Sequence, residues 1–511
     1  MKLYVIKYNF LKVWVVKINM DETHLSLLRE LQKENRWWSL GKVPPELIRE
    51  FKRADYYTYR TLLGAEYPNV VFGPRRIGKS TVLYQLVDFL INDKKIAPNR
   101  IIFLSLERPF FSLVKNPIKE SMQVFEENIL KEPLESIKEP VYIFLDEASR
   151  SEDWALHVKD YYDKKYNAKF FVTGSSSPAL FKKSSESLVG RHTPILMLTL
   201  KFSDVVKISS TEEDTELLLA VRKMSLRNGF VNAINKNNPK LFYTELQSAY
   251  VGVGPEGDTA LQVKLNEYLL RGGYPEFYDK KQSWASASKV MRDAYFDVII
   301  SYDMQRVFNS RNPEKIKQLY TFLSVTTAQQ VNISTLCGNL GISKTALNDY
   351  LSQLQQTHLI KIMRPYKKNK IRIGNDIKKI YVCDVGLRNS VLGITEDELD
   401  NSALLGHLAE TVAQDHTLRL KFNVDKNGVC ETFFWKNDKK EIDIVIELNG
   451  KIIPIESKYA EQIKSEDVQE LRNCVKENNC PFGILLTKKS FRFDEKNKII
   501  SIPLWLYLLM C

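Results

Sequence analysis

An α/β fold built on a parallel sheet, followed by a helical segment, a helix-turn-helix and a second unit of order αβββαβ, is what this sequence predicts. Three observations predict it. The apolar run Asn69-Val70-Val71-Phe72 passes directly into Gly73-Pro74-Arg75-Arg76-Ile77-Gly78-Lys79-Ser80-Thr81 and then into an amphipathic helical pattern. The run Val141-Tyr142-Ile143-Phe144-Leu145 ends in the paired acids Asp146-Glu147. Far downstream, Asp443 on one strand-like run is followed on the next by Glu456-Ser457-Lys458.

The first of these is a P-loop, Gly-x4-Gly-Lys-Ser, in strand-to-helix context. A bound polyphosphate needs closely spaced backbone N–H groups, and Gly73 and Gly78 are expected to provide them by accepting positive φ and leaving room for the ligand. Gly73, Pro74, Arg75, Arg76, Ile77, Gly78, Lys79, Ser80 and Thr81 would line that cradle. Lys79 would reach the β and γ phosphates of ATP, Ser80 would hold Mg²⁺, and the helix dipole would face the same anion. A glycine turn that merely fits the pattern is the alternative, and the flanking strand and helix argue against it. The acidic run is too short for a helix and reads as a buried parallel strand bringing its acids to the sheet's C-terminal edge, where ligands bind. Asp146 would orient the Mg²⁺ shell and Glu147 would polarise the attacking water as general base, which separates hydrolysis from nucleotide binding alone. A strand capped by a solvated acidic pair is the bland reading.

Two further strands fit around these. Arg100 to Leu106 lies between the two motifs, and Ala168 to Gly174 ends in Ser175-Ser176-Ser177. Thr173 or Ser175 could sense the γ-phosphate there, with a Ser-rich turn as the alternative. Arg191, after Leu188-Val189-Gly190, could stabilise transition-state charge in its own or a neighbouring subunit, or be an ordinary surface arginine.

Trp37-Trp38, the P-loop, Phe-Leu-Asp-Glu, Val-Thr-Gly-Ser-Ser-Ser and Val-Gly-Arg, taken in order, resemble the archaeal and bacterial AAA-type ATPases close to the STAND group. Tyr268-Leu269-Leu270-Arg271-Gly272-Gly273-Tyr274-Pro275 and Tyr381-Val382-Cys383-Asp384-Val385-Gly386-Leu387 are similar to motifs of the same family. The resemblance implies an ATPase whose chain continues into a winged-helix segment and a restriction-nuclease-like C-terminal domain.

With 511 residues and 44% hydrophobic content, the chain can bury several cores. The expected division is an N-terminal extension over 1–50, an ATPase core over 51–200, a helical lid over 201–310, a winged helix over 311–395 and a nuclease-like domain over 396–511. No stretch is apolar for long enough to span a bilayer. Leu11 to Ile18 reads as a short strand or as an extension upstream of an internal start at Met20, and the apolar run Ser501 to Cys511 as a terminal element packed on the last domain. A net charge of +12 favours a polyanionic partner. The six cysteines form no Cys-x-x-Cys pair, so a reduced cytoplasmic protein without structural zinc is expected.

In the lid, the glycines and proline after Arg271 mark a sharp turn; Arg271 could act as a nucleotide sensor or simply end its helix. Asn332 to Leu351 gives a short helix, a glycine turn and an N-capped helix, which is helix-turn-helix spacing. Leu359 to Arg372 reads as a hairpin with a basic tip. Lys344, Lys367, Lys368, Lys370 and Arg372 could neutralise DNA phosphates, while a module used for protein packing is the alternative.

The last domain reads as a helix near Gly406 to Val412, strands near 431–435, 441–446 and 452–458, a helix near 466–477 and a strand near 482–487. That order, with Asp on one strand and Glu-x-Lys on the next, resembles the PD-(D/E)XK nuclease core. Alternation puts Glu456 and Lys458 on one face, where both can meet Asp443. By that resemblance Asp443, Glu456 and Glu410 would hold Mg²⁺ and Lys458 would activate water. Ile442 stands where the motif has proline, and a retained fold that binds without cutting is the alternative. Together these readings give an ATP-hydrolysing machine acting on DNA as a homo-oligomer, for which a hexameric ring is one form. A STAND-like nucleotide-switched regulator is the second reading.

Overall fold

The computed structural model describes residues 22–174, 190–208, 216, 218–221, 223–279, 282–308, 310, 312–367, 378–425, 431–437 and 440–511. The expectations placed on residues 1–21, on Ser175 to Ser177, on Lys368, Lys370 and Arg372, and on Cys430 lie outside them.

Five parallel strands form the first sheet: β1 (Asn69–Phe72), β2 (Ile101–Ser105), β3 (Val141–Asp146), β4 (Ala168–Gly174) and β5 (Thr193–Leu196), in the order β2-β3-β4-β1-β5. β4 therefore separates the P-loop strand from the acidic strand. Buried strands of a parallel sheet read as continuous apolar runs, and β3 is buried at all six positions. The P-loop helix Lys79–Asn92 covers one face with Val82, Leu83, Leu86, Val87 and Leu90.

β2 is an edge, and an exposed edge offers unpaired backbone groups to other chains. Residues just after the helix Glu22–Glu34 close it. The Asn35 amide donates to the Phe103 carbonyl at 3.0 Å and accepts from the Phe103 N–H at 2.6 Å, imitating a neighbouring strand. Trp37 and Trp38 each donate their indole N–H to the Ile101 carbonyl. This gives the Trp37-Trp38 pair a physical role: it seals the sheet.

The described residues between 202 and 308 are mostly helical, as expected. The long helix Pro239–Arg271 breaks at Gly254-Pro255, where Gly254 leaves helical geometry and Pro255 supplies no N–H. The helix-turn-helix spacing produces helices Ile333–Leu340 and Lys344–Gln356, the second capped by the Ser343 hydroxyl, which accepts from the Ala346 N–H. Strands β6 (Gln329–Val331), β7 (Ile360–Pro365) and β8 (Lys378–Val382) pair antiparallel beside them.

The C-terminal unit opens with the helix Ser402–Val424, followed by β9 (Phe433–Asn437), β10 (Lys440–Leu448), β11 (Lys451–Lys458), helix Gln469–Glu477 and β12 (Gly483–Thr487). β13 (Arg492–Asp494), β14 (Ile499–Pro503) and the wholly buried helix Leu504–Met510 complete it. The apolar end is thus a packed element, fastened by Arg227, which donates to the Met510 and Cys511 carbonyls, and by Trp505, which donates to Asp258.

β7 pairs parallel with β9 through Arg364↔Phe433 and Pro365↔Phe434. Nine strands thereby join in one sheet, β13-β14-β12-β11-β10-β9-β7-β8-β6. The sequence reading treated these strands as two separate domains; fusing them removes two free edges at once. The five described cysteines are free thiols. Among the described residues no helix is long and apolar enough to cross a membrane.

Two glycines make the packing testable. A Cβ on Gly386 would lie 1.9 Å from the Arg271 carbonyl oxygen, whereas one on Gly406, in the helix Ser402–Val424, would meet nothing within 4 Å. Gly386→Ala is expected to destabilise the chain by roughly 1–3 kcal/mol through overpacking, and Gly406→Ala to stabilise it by about 0.5–1 kcal/mol through helix propensity. Thermal denaturation of the two variants reads the opposite signs.

Candidate nucleotide site and carboxylate cluster

The P-loop joins β1 to its helix through Gly78, which takes φ 91° and precedes the first helical residue, Lys79. Gly73 was expected to share that left-handed conformation and does not. Its requirement is close approach, since a Cβ there would lie 1.9 Å from the Met197 carbonyl oxygen. Arg76 takes the second left-handed position of the loop, at φ 60°, and Glu147 is left-handed at φ 51°. Such strain in non-glycine residues costs on the order of 1–3 kcal/mol each and gathers at functional sites.

The Lys79 side chain is buried and donates to the carbonyls of Gly73 at 3.1 Å and Pro74 at 2.8 Å. Its nearest carboxylate is Glu147, at 3.7 Å. Burial pulls the ammonium below its usual range, with Glu147 and Asp146 opposing. The Ser80 hydroxyl donates to Asp146 Oδ2 at 2.7 Å, and the Thr173 hydroxyl donates to Asp146 Oδ1 at 2.6 Å while accepting the Glu147 N–H at 3.0 Å. Burial raises the Asp146 carboxyl to about 6, the neighbouring Glu147 adding to it. The hydroxyl of Thr173, which with Ser175 is a candidate γ-phosphate sensor, is engaged by the two acidic residues.

Other P-loop residues reach outward. Arg75 faces Glu107 at 3.5 Å, and Arg76 lies over the Tyr295 ring and 4.0 Å from Glu276, so it bridges to the helical segment. Ser80 and Thr81 are half-buried at the start of the helix, and Ile77 is fully buried. Arg53, which the sequence reading missed, is buried and donates to the carbonyls of Ile77 at 2.8 Å and Leu198 at 2.6 Å, bracing the loop from behind. No local motif marks it. Arg271 turns back onto Glu267 and the Gln282 carbonyl and so ends its helix.

Arg191 sits before β5, at the sheet edge opposite the P-loop, and pairs with Asp163 at 3.2 Å. β5 runs level with β1, Thr193 beside Asn69 and Leu196 beside Phe72. At about 3.3 Å per residue, Arg191 lies roughly 17 Å short of the level of Phe72, towards the end of the strands away from its own loop.

His358 stacks on Phe72, at the end of β1, and its Nε2 is enclosed without a hydrogen-bond partner. The helix-turn-helix unit thus packs against the strand that enters the P-loop. A cavity of about 420 Å³ lies at that junction, with Pro74, Thr199, Gln355, His358 and Asp415 among its walls.

In the C-terminal unit the expected residues do come together. Lys458 lies 2.9 Å from Glu456 Oε1, Glu456 Oε2 accepts the Asp443 N–H at 3.3 Å, and Asp443 Oδ2 accepts the Ser457 N–H at 3.0 Å. Glu410, from the helix Ser402–Val424, faces them. The cation among these acids is one the sequence reading missed. Lys379 of β8 places its ammonium 2.7 Å from Glu410, 2.7 Å from Glu441 and 2.9 Å from Asp443. Burial, then the Asp443 charge, raises both Glu410 and Glu456 to about 8. Burial also works against the Lys379 charge, but Asp443, Tyr381, Glu410 and Glu441 together hold it well above its ordinary range. As arranged, these carboxylates do not fit a divalent ion, and among the described residues no group of three or more His, Cys, Asp or Glu is set to hold a metal.

Residues 65–206 match the AAA domain family, which supports an AAA-type ATPase. Residues 262–398 and 405–507 match two domains of unknown function, DUF8612 and DUF4143. The chain is 23% identical over 454 residues to an uncharacterized protein of Methanocaldococcus jannaschii, covering 85% of this chain and 87% of that one. It is 22% identical over 453 residues to an uncharacterized protein of Haemophilus influenzae, covering 86% and 94%. A Vibrio cholerae protein of known crystal structure is similar at 11% identity over 72% of this chain and 89% of its own, with a TM-score of 0.18, too low to bear on the fold.

The His358 contact predicts a pH effect. Burial, and then the Lys79 charge, lowers its pKa to about 4, so between about 4 and 6.5 the unfolded chain binds the proton more readily than the folded one. Stability carried by neutral His358 is therefore complete above about 6.5 and is lost as pH falls towards 4. His358→Asn, which tolerates the left-handed backbone, should flatten the fall in melting temperature between pH 7 and pH 4.5, by at most about 3 kcal/mol.

Proposed function

We propose that this chain binds and hydrolyses ATP with Mg²⁺ and couples turnover to work on DNA. The observation that carries the proposal is the arrangement of Lys79, a buried cation resting on two loop carbonyls, beside the linked set Ser80, Asp146, Thr173 and Glu147. Ser80 and Asp146 would hold the metal, and the loop N–H groups with Lys79 would hold the phosphates. When bound, Mg²⁺ neutralises charge on the β and γ phosphate oxygens. Thr173 fixes Asp146 and the Glu147 backbone, and the Glu147 carboxylate would act as general base towards water. Arg191, remote from its own loop, would act on the nucleotide of a neighbouring subunit, which makes a homo-oligomer part of the proposal.

DNA as partner is supported by the +12 net charge and by Lys344, exposed at the start of the second helix of the helix-turn-helix, where a winged-helix reading would place phosphate contacts. The alternative is a nucleotide-switched regulator. Contacts from the P-loop strand to His358 and from Arg76 to Glu276 favour it, because nucleotide occupancy would be felt by both following units.

Steady-state ATP turnover with and without duplex DNA separates the two: stimulation supports the DNA machine, and slow, unstimulated turnover with nucleotide-dependent assembly supports the switch. In either case Lys79→Ala should abolish turnover. Glu147→Gln should retain ATP binding while turnover falls roughly 10²- to 10⁴-fold. Mixing Arg191→Ala with Glu147→Gln should restore activity, since a shared site then holds one intact set; failure to complement removes the trans role of Arg191.

A further inference from the structure

The carboxylate cluster of the C-terminal unit shows what its resident cation is. A lysine ammonium has three N–H donors. Lys379 finds three carboxylates, Glu410, Glu441 and Asp443, at 2.7, 2.7 and 2.9 Å, and its side chain is 2% exposed. Every donor therefore has a carboxyl acceptor. The acceptors are satisfied from other directions as well. The Tyr381 hydroxyl donates to the same Glu410 oxygen at 2.7 Å, Gln330 donates to Glu441 Oε2, and Ser457 N–H donates to Asp443 Oδ2. Glu456 is taken up by Lys458 and the Asp443 N–H.

The lysine comes from outside the unit. Lys379 and Tyr381 share one face of β8, whose Lys379 pairs with Met363 of β7 and Gln330 of β6. β7 in turn joins β9, so the backbone pairing that fuses the two units also delivers the ammonium to the acids. A divalent ion with carboxylate oxygens at about 2.0–2.6 Å would have to take the volume of the ammonium nitrogen, against its charge.

We propose that Lys379 is the internal counter-ion of this site, so that the C-terminal unit binds no Mg²⁺ or Mn²⁺ while β8 is paired as seen, and that removing its charge lets these carboxylates take a metal. The cluster then acts as a fastener between the helix-turn-helix strands and the C-terminal unit, and phosphodiester cleavage by it requires that the lysine be withdrawn.

The test is Mn²⁺ titration of the full-length, nucleotide-free protein, read by electron paramagnetic resonance of the free ion, in an Asp146→Asn background that removes the carboxylate proposed to hold metal at the P-loop. Wild-type Lys379 and the Asp443→Asn variant are expected to bind Mn²⁺ identically. Lys379→Met should gain one site at least tenfold tighter than anything in the parent, and adding Asp443→Asn should remove it. A site in the parent that Asp443→Asn abolishes would overturn the proposal, as would a folded Lys379→Met with no gain. Lys379→Met leaves buried acids without a counter-ion, so its folding is checked by circular dichroism. Should it fail to fold, the comparison of parent with Asp443→Asn decides the matter by itself.

Discussion

Three backbone segments that leave different units meet at one buried carboxylate, Asp384, and the placement of the units follows from that meeting. The Gly273 N–H donates to Asp384 Oδ2 at 2.8 Å and the Leu387 N–H to Oδ1 at 2.9 Å. Gly273 also accepts the Leu200 N–H at 2.7 Å, just beyond the end of β5. Asn389 donates to the carbonyls of Leu269 and Leu270, both at 2.9 Å, which satisfies the end of the long helix. A carboxylate taken out of water must recover its hydration from fixed donors, and here backbone N–H groups from two segments supply it. Burial still raises Asp384 to about 6. Glycine is required on both sides because the chains touch: a Cβ on Gly272 would lie 2.2 Å from Asp384 Oδ1.

From that point the connections run outward in two directions. Towards the nucleotide site, Arg53 ties Leu198 to the P-loop carbonyl of Ile77, so the strand that leads to the Asp384 junction and the phosphate cradle share one guanidinium. Towards the C-terminal unit, His416 accepts the Phe202 N–H and Arg419 donates to the Thr199 carbonyl, anchoring the helix that also carries Glu410. A displacement at the P-loop therefore has a short, hydrogen-bonded route to both later units. This route is a physical basis for coupling, and each link in it is a charged or backbone hydrogen bond rather than a general apolar contact.

Local features were legible in the sequence and distant pairings were not. The P-loop, the acidic strand, the helix-turn-helix spacing and the αβββαβ order each follow from residues within one short window, where periodicity and turn chemistry act directly. Asp443, Glu456 and Lys458 met as strand alternation required. Thr173 stood out by its position at the end of a strand, but the two partners of its hydroxyl, Asp146 and the Glu147 N–H, are placed beside it only by the packed sheet. Arg53 and Asp384 act across separations of 24 to 145 and of 111 residues, which no spacing rule reaches. Lys379 carried a weak signal: with Tyr381 it puts two polar groups on one face of a strand.

Two of the buried lysines that lie among acids, Lys79 and Lys379, have surroundings that assign them opposite roles. Lys79 rests on neutral carbonyls with its nearest carboxylate 3.7 Å away, and burial lowers its affinity for a proton. Lys379 is bound by three carboxylates within 2.9 Å and is held strongly protonated. A charge compensated mainly by dipoles gains from an arriving anion, because a polyphosphate offers far stronger interactions than the two carbonyls it would replace. A charge already matched by several acids gains nothing from an anion and excludes a second cation. The same side chain is thus held by neutral dipoles at the P-loop and committed to carboxyl partners at β8. The number of carboxylates within hydrogen-bonding reach, rather than burial, which the two share, makes the difference.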